Sequence, residues 1–150
     1  MHTVKNIFLT DDDTDDCMLF SEALQELYSE KEAKLTITND GVKLMETLER
    51  TVPPPPEVIF LDLNMPRKNG FECLQEIRKT PKLQGIPVVI FSTSSNNDIV
   101  DKSYQHGANY YICKPQSYTL LKKTIEYVLS FDGEKLRKQP LRDQFVINIA

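Results

Sequence analysis

Five polar residues suited to binding a metal ion or a phosphoryl group stand at the ends of short apolar segments. They are Asp11, Asp12, Asp62, Ser92 and Lys114. Carboxylates held close together repel one another, and a hard divalent cation such as Mg²⁺ relieves that repulsion by taking oxygen ligands. A carboxylate can also attack phosphorus when a metal ion and a cationic side chain neutralise the charge of the transferring group. These residue types therefore predict Mg²⁺-assisted phosphoryl chemistry, provided that the fold brings them together.

The segments before these residues have the pattern of strands in a parallel sheet. Val58 to Leu61 is a run of four apolar residues, as expected for a strand buried on both faces. Similar short segments span 6–10, 34–38, 87–91 and 110–113, and each is followed by apolar residues at the three-and-four spacing of a helix. Five strands alternating with five helices predict an α/β domain with a doubly wound parallel sheet.

A parallel sheet would place the five polar residues along one edge. The carboxyl ends of its strands lie on the same side, where ligands bind in such folds. Asp11 and Asp12 would lie beside Asp62 if the first and third strands were neighbours. We interpret Asp13, Asp15 and Asp16 differently, because they begin the first helix and the helix dipole favours negative charge there.

The composition favours a single globular domain. The chain has 150 residues, of which 40% are hydrophobic and 27% charged. A net charge of −4 argues against general attraction to nucleic acids or anionic membranes. The chain has neither an apolar window of membrane-spanning length nor the apolar core of a signal peptide, so we expect a cytoplasmic protein. The three cysteines form no CxxC pair and are expected to be free thiols.

The motifs at the strand ends resemble those of the response-regulator receiver domain of two-component signalling. The resemblance covers about residues 4 to 131. It implies a flavodoxin-like fold with strand order 2-1-3-4-5. The proline-rich segment at 53–56, the loop at 64–70 and the chain length resemble most closely the stand-alone receivers that serve phytochrome-type kinases. The motifs, in chain order, are Phe8-Leu9-Thr10-Asp11-Asp12, Asp62-Leu63-Asn64-Met65-Pro66 with Gly70, Ser92-Thr93, and Tyr111-Ile112-Cys113-Lys114-Pro115.

The resemblance implies a role for each residue of the acidic site. Asp62 would accept a phosphoryl group from the phosphohistidine of a sensor histidine kinase or a histidine phosphotransfer protein. Asp12 and Asp62 would bind Mg²⁺ together with the backbone carbonyl of Asn64, and Asp11 would hold a metal-bound water. Lys114 would pair with the phosphate. The only reactions expected of the protein itself are Mg²⁺-dependent self-phosphorylation and self-dephosphorylation, so we do not expect an enzyme.

The resemblance also implies how the signal leaves the site. Ser92 would move toward the phosphate and Tyr111 would change rotamer, which would alter the surface of the fourth helix, fifth strand and fifth helix. The Lys114–Pro115 peptide bond would be cis. Ser92 stands where Thr is commoner, and Thr93 is larger than usual, so the lifetime of the aspartyl phosphate stays open. Output would occur by contact with a downstream protein or by phosphorelay.

The alternative from another functional class is a degenerate receiver that binds proteins without phosphorylation. Retention of Asp12, Asp62 and Lys114 argues against it.

Three other families with related motifs fit less well. An EF-hand loop needs Gly where Asp16 stands, a haloacid-dehalogenase-type phosphatase needs Thr at Asp15, and a flavin phosphate would be repelled by the acids after the first strand.

The sequence divides into a receiver domain at residues 1–131 and a C-terminal extension at 132–150. Residues 145–149 of the extension are apolar and strand-forming, and exposing them would favour association. We predict that the extension docks either on its own domain or on a second protomer, as a dimerisation arm. Self-docking is the simpler of the two arrangements.

Overall fold

The computed structural model describes residues 4–149 and places five parallel strands in one sheet. The strands are β1 (Lys5–Thr10), β2 (Ala33–Thr38), β3 (Val58–Leu61), β4 (Val88–Ser92) and β5 (Tyr110–Cys113). Their order is β2-β1-β3-β4-β5, as the family resemblance implied. The helices are α1 (Thr14–Leu27), α2 (Gly41–Thr51), α3 (Gly70–Lys79), α4 (Asn97–Gln105), α5 (Tyr118–Leu129) and α6 (Gly133–Arg137), and a 3-10 helix spans Arg142–Gln144.

The five long helices each begin at a polar capping residue, which follows the preceding strand by two to four residues in every case except α3, where a longer loop intervenes. The capping side chain accepts a hydrogen bond from a backbone N–H of the first helical turn, which satisfies a donor that has no partner within the helix. The capped helix starts hold the residues after these strands close to the edge of the sheet. The capping residues are Asp13, Asp40, Asn69, Asn96 and Ser117.

The core covers both faces of the sheet. All four residues of β3 have no exposed surface, since this strand is central and has helices on either side. On the face covered by α1 and α5, the ring of Phe20 packs edge-on against Phe60 and Phe91, at centroid distances of 5.0 and 5.8 Å. Residues of α2, α3 and α4 pack on the opposite face. This burial on both faces places Asp62, the residue after β3, at the middle of the sheet edge.

Two features differ from the sequence-based expectations. The Lys114–Pro115 bond is not cis; within residues 4–149 the cis peptide bonds are Val52–Pro53 and Pro53–Pro54. Trans is the more stable isomer of an X–Pro bond when the surroundings do not select cis. A sixth helix, α6, was not predicted, because its five residues are too few to show a helical period.

Two smaller observations concern the cysteines and membranes. Cys17 and Cys73 are buried and Cys113 is exposed, and all three are free thiols as predicted. None of the helices within residues 4–149 has the length and apolar character needed to cross a membrane.

The C-terminal extension lies against α4 and β5. The Tyr111 N–H donates to the carbonyl of Phe145 (3.1 Å), and the Ile147 N–H donates to the carbonyl of Tyr111 (2.9 Å). Phe145 has no exposed surface and packs against the rings of Tyr104 and Tyr111. These contacts cover part of the outer edge of β5, which reduces the chance of pairing with another chain. The division of the chain after residue 131 stays a prediction.

Replacing Phe145 should test the docking of the extension. Phe145→Ala should lower the free energy of unfolding by about 3 kcal/mol, because it leaves a cavity where a buried ring packed. Leu141→Ala is the matched control on the same segment, since Leu141 is 70% exposed, and it should change stability by less than about 0.5 kcal/mol. Urea denaturation measures both. Equal effects of the two substitutions would contradict the docked arrangement.

Candidate functional site

The registers of β1 and β3 bring the predicted acidic residues together. Thr10 pairs with Leu61, so Asp11 and Asp62 follow their strands side by side. One carboxylate oxygen from each of Asp11, Asp12 and Asp62 lies within 4.8 Å of the other two. Asp11 and Asp62 are buried, whereas Asp12 is exposed. The arrangement is therefore a carboxylate cluster that solvent reaches from the side of Asp12.

Lys114 lies among these carboxylates. Its Nζ is 2.8 Å from Asp11 Oδ2, 2.9 Å from Asp16 Oδ2 and 3.7 Å from Asp62 Oδ2. The backbone N–H of Lys114 donates to the carbonyl of Ser92 (2.8 Å), which fixes the residue beside β4. The side chain is 10% exposed, so its charge is only weakly screened by solvent. Lys114 is thus positioned to face any group carried by Asp62.

Ser92 and Tyr111 meet at the loop that follows β4. Ser92 is fully buried, and its Oγ accepts a hydrogen bond from the Ser94 N–H (3.2 Å). The hydroxyl of Tyr111 donates to the Ser94 carbonyl (2.7 Å), and the Tyr111 side chain is buried. Both predicted switch residues therefore contact the same backbone segment.

The loop between β3 and α3 closes the site on its other side. The Asn64 N–H lies 3.4 Å from Asp62 Oδ1, so this exposed residue is adjacent to the acidic cluster. Gly70 begins α3, and its N–H donates to the carbonyl of Leu63. A Cβ at Gly70 would lie 2.3 Å from the carbonyl oxygen of Asp62. Only glycine allows this close approach of the helix to the site.

The electrostatics of the cluster raise the pKa of Asp62. Burial raises this pKa to about 7, and the negative charge of Asp11 adds to the effect, while Lys114 opposes it. Burial also disfavours the charged form of Lys114, but the nearby carboxylates of Asp11 and Asp16 outweigh it and hold the pKa of Lys114 above its ordinary value. The cluster as it stands has more negative charge than Lys114 neutralises.

The donor set fits a hard divalent cation. Within residues 4–149, Asp11 Oδ2 is the buried side-chain oxygen or nitrogen atom that lacks a hydrogen bond. It forms an ion pair with the Lys114 Nζ. A cluster of carboxylate oxygens that is open to solvent on one side suits Mg²⁺ or a similar ion. Such an ion binds few protein carboxylates and retains several of its bound water molecules. A bound cation would also relieve the repulsion between Asp11 and Asp62.

Asp16 was not predicted to be a site residue. It occupies the first turn of α1, as the helix-start interpretation required, but its carboxylate also pairs with Lys114. Asp16 precedes Phe20 by four residues and so falls on the same side of the helix as a core residue. That spacing was the available signal that Asp16 faces the sheet edge and not solvent.

The raised pKa predicts a pH dependence of stability in metal-free buffer. The pKa of Asp62 is about 7 in the folded chain and near 3.8 when unfolded, so the folded chain binds the extra proton between these values. Stability from this group is therefore present at low pH and lost as the pH rises through 7. Asp62→Asn cannot ionise, and its stability relative to wild type should increase by on the order of 2 kcal/mol from pH 5 to pH 8.

Urea denaturation with a chelator at both pH values measures this difference. Asp101→Asn is the control and should show no such pH trend, because this carboxylate of α4 pairs with Arg142 and does not belong to the cluster. An Asp62→Asn effect that is the same at pH 5 and pH 8 would contradict a raised pKa at Asp62.

Comparison with known proteins agrees with this geometry. Residues 7–126 match the family model for the response regulator receiver domain. The chain is 37% identical over 131 residues to the response regulator Rcp1 of Synechocystis sp., covering 85% of this chain and 88% of that protein. The predicted resemblance to a receiver domain is thereby confirmed by sequence.

Solved structures show the same relationship. The phosphorylated cyanobacterial phytochrome response regulator RcpA superposes with a TM-score of 0.78 at 35% identity, covering 86% of this chain and 94% of that one. The Mn²⁺-bound form of Rcp1 superposes with a TM-score of 0.75 at 36% identity, covering 91% and 99%. Fold, acidic cluster and sequence thus agree, and the chain belongs to the response regulator receiver-domain family.

Proposed function

We propose that Asp62 accepts a phosphoryl group from the phosphohistidine of a sensor histidine kinase or histidine phosphotransfer protein. The phosphorylated chain then signals by contact with a downstream protein or by phosphorelay, in the cytoplasm. The main support is the position of Asp62, a buried carboxylate 3.7 Å from the Lys114 Nζ and within 4.8 Å of two other carboxylates. A nucleophile, a cation and a set of hard oxygen ligands are the components that phosphoryl transfer to a carboxylate requires.

The transfer would proceed by attack of an Asp62 carboxylate oxygen on phosphorus. A P–O bond forms while the P–N bond breaks, and the departing imidazole keeps the electron pair and takes up a proton from solvent. Lys114 faces the phosphoryl oxygens and offsets their charge, and the Ser92 hydroxyl turns to donate to one of them. Mg²⁺, held by Asp12, Asp62 and the Asn64 carbonyl with Asp11 acting through a water, would neutralise further charge on the transferring group.

The raised pKa of Asp62 has a consequence for this reaction. Asp62 must be ionised to attack, yet burial and Asp11 favour its protonated form. A divalent cation held by Asp12 and Asp62 would favour the ionised form of Asp62 and so keep the nucleophile charged near neutral pH.

Two apolar side chains provide a contact surface for the phosphodonor protein. Met18 and Leu19, in the first half of α1, are 55% and 41% exposed. Leu19 borders the same shallow cleft as Lys114 and Pro115. Exposed apolar groups beside a charged site are typical of protein contact surfaces. A kinase or phosphotransfer domain seated there would bring its phosphohistidine to the open side of the cluster.

Output would begin at Ser92 and Tyr111. Movement of Ser92 toward the phosphate displaces the loop at Ser94, to which Tyr111 is hydrogen-bonded. Tyr111 also contacts Phe145 through its ring and backbone, so the loop and the C-terminal extension are linked through one residue. We propose that phosphorylation changes how the extension docks, on its own domain or on a second protomer, and so changes the surface offered to the downstream protein.

Intact-mass measurement of phosphoryl incorporation tests the proposed function. Incubation with a small phosphodonor and Mg²⁺ should add one phosphoryl group to the wild-type chain, with none added in the presence of a chelator or to Asp62→Asn. Lys114→Gln should react about 100-fold more slowly, because the cation facing the phosphoryl oxygens is lost. Lys123→Gln, an exposed lysine on α5, is the matched control and should react at the wild-type rate.

Binding of Mg²⁺ without uptake of a phosphoryl group would overturn the phosphoacceptor role. If wild type binds Mg²⁺, measured by calorimetry, but takes up no phosphoryl group, the chain is a phosphorylation-independent binding module.

Hydrogen exchange tests the coupling between the site and the extension. In excess phosphodonor, the amides of Tyr111 and Ile147, which bridge β5 and the extension, should exchange faster than in the unmodified chain. The amide of Phe60 in central β3 should be unaffected. Ser92→Ala should weaken the effect, since it removes the hydroxyl that starts the displacement. Unchanged exchange at both bridging amides would refute the proposed output route.

A further inference from the structure

We infer that Asn39, Asp40 and Arg67 are positioning residues that hold the two loops of the acidic site in register and thereby set its affinity for a divalent cation. One loop follows β1 and carries Asp11 and Asp12, and the other follows β3 and carries Asp62 and Asn64. The inference rests on the proposed function, because it assumes that these loops hold a metal ion. The turn between β2 and α2 touches both loops.

The first contact is an ion pair between the turn and the loop after β3. Arg67 Nη2 lies 2.5 Å from Asp40 Oδ2. The other oxygen of Asp40 accepts the Lys43 N–H (2.8 Å) as the N-cap of α2, and the carboxylate is 10% exposed. Asp40 is therefore fixed to a helix, which makes it a rigid anchor. The hydrogen bond from Arg67 lowers the pKa of Asp40, so the pair is charged at neutral pH.

The backbone of Arg67 shows that its loop needs such an anchor. Its φ is +65°, which makes it the one non-glycine residue with positive φ within residues 4–149. L side chains rarely adopt this conformation, because the Cβ crowds the backbone. The Arg67 side chain is 57% exposed, so its ion pair with Asp40 offsets only part of that cost. Asn64, the proposed carbonyl ligand, lies three residues before Arg67 in the same loop.

The second contact joins the turn to the loop after β1. The Asn39 Nδ2 donates to the carbonyl of Asp11 (3.3 Å). The Asp11 N–H donates to the Thr38 carbonyl (3.0 Å), and the hydroxyls of Thr10 and Thr38 are 2.8 Å apart. The peptide groups on either side of Asp11 are thus hydrogen-bonded to Thr38 at the end of β2 and to Asn39 in the turn that holds Arg67.

The third contact is steric. A Cβ at Gly41 would lie 2.2 Å from the carbonyl oxygen of Lys68 and 2.7 Å from the Sγ of Cys73. The turn therefore lies directly against the loop after β3, with no space for a side chain. Ionic, hydrogen-bonding and steric contacts all connect this one turn to the segments that present the carboxylates.

A positioning role and a simple charge effect predict different outcomes. If Arg67 and Asp40 acted only through their charges, removing the cation would strengthen metal binding and removing the anion would weaken it. If they position the loops, both removals weaken binding, because groups that orient metal ligands typically account for 10- to 100-fold in affinity. The sign of the Arg67 effect therefore distinguishes the two.

The experiment is calorimetric titration of Mg²⁺, with Mn²⁺ as a second probe, and without a phosphodonor. Asp40→Asn preserves the helix cap, and Arg67→Asn suits positive φ but is too short to reach Asp40. Each should weaken binding about tenfold, and the double variant should be no weaker than either single variant, since they remove one interaction. Arg67→Lys should restore part of the affinity. Asn39→Ala should weaken binding by less than Asp40→Asn.

Asp101→Asn is the control, because it breaks an ion pair of similar length, 2.7 Å to Arg142, away from the site. It should bind Mg²⁺ as wild type does.

Phosphoryl incorporation gives a second readout. The Asp40 and Arg67 variants should need more Mg²⁺ for the reaction but reach close to the wild-type rate when Mg²⁺ is saturating. Thermal unfolding without metal verifies that each variant is folded.

Three results would overturn the inference. Wild-type affinity in Asp40→Asn and Arg67→Asn would remove the positioning role. Tighter binding by Arg67→Asn with weaker binding by Asp40→Asn would reduce it to a charge effect. Absence of Mg²⁺ binding by wild type would remove both this inference and the proposed metal site, whereas the first two results leave the phosphoacceptor function intact.

Discussion

The repulsion between buried carboxylates at the ends of β1 and β3 is the constraint on which the site depends. Asp11 and Asp62 lie side by side because their strands are paired, and both are almost fully buried. Lys114 offsets part of their charge and Asp16 adds to it. Burial, together with the charge of Asp11 that Lys114 does not fully offset, raises the pKa of Asp62. Such a cluster favours a bound divalent cation, because the fold has already brought the carboxylates together.

The fold maintains this unfavourable cluster with interactions that lie outside it. The central strand β3 is buried on both faces, so Asp62 cannot move outward without disrupting the core. Capped helix starts hold the connecting loops short, and the turn at Asn39 and Asp40 is bonded to both acidic loops. The energy that keeps like charges close is thus supplied by apolar packing and by hydrogen bonds at a distance from the carboxylates.

The sequence predicted those features that depend on local pattern. Runs such as Val58 to Leu61 identified the strands, and parallel pairing then placed Asp11, Asp62, Ser92 and Lys114 at one edge. It did not predict pairs that depend on loop geometry. The contacts of Asp16 with Lys114 and of Asp40 with Arg67 join residues 98 and 27 positions apart, and no local period specifies them. The trans bond at Lys114–Pro115 also depends on surroundings that local sequence does not define.

Tyr111 contributes separable contacts to two parts of the molecule, and this affects how its position can evolve. Its hydroxyl bonds the Ser94 carbonyl, whereas its ring and backbone contact Phe145. A change to Phe would remove only the hydroxyl contact and keep the aromatic one. A change to a small residue would lose both side-chain contacts, leaving the backbone bonds to the extension. The two contacts therefore constrain the position separately, and an aromatic replacement would change the contact with the loop after β4 while the C-terminal extension stays docked.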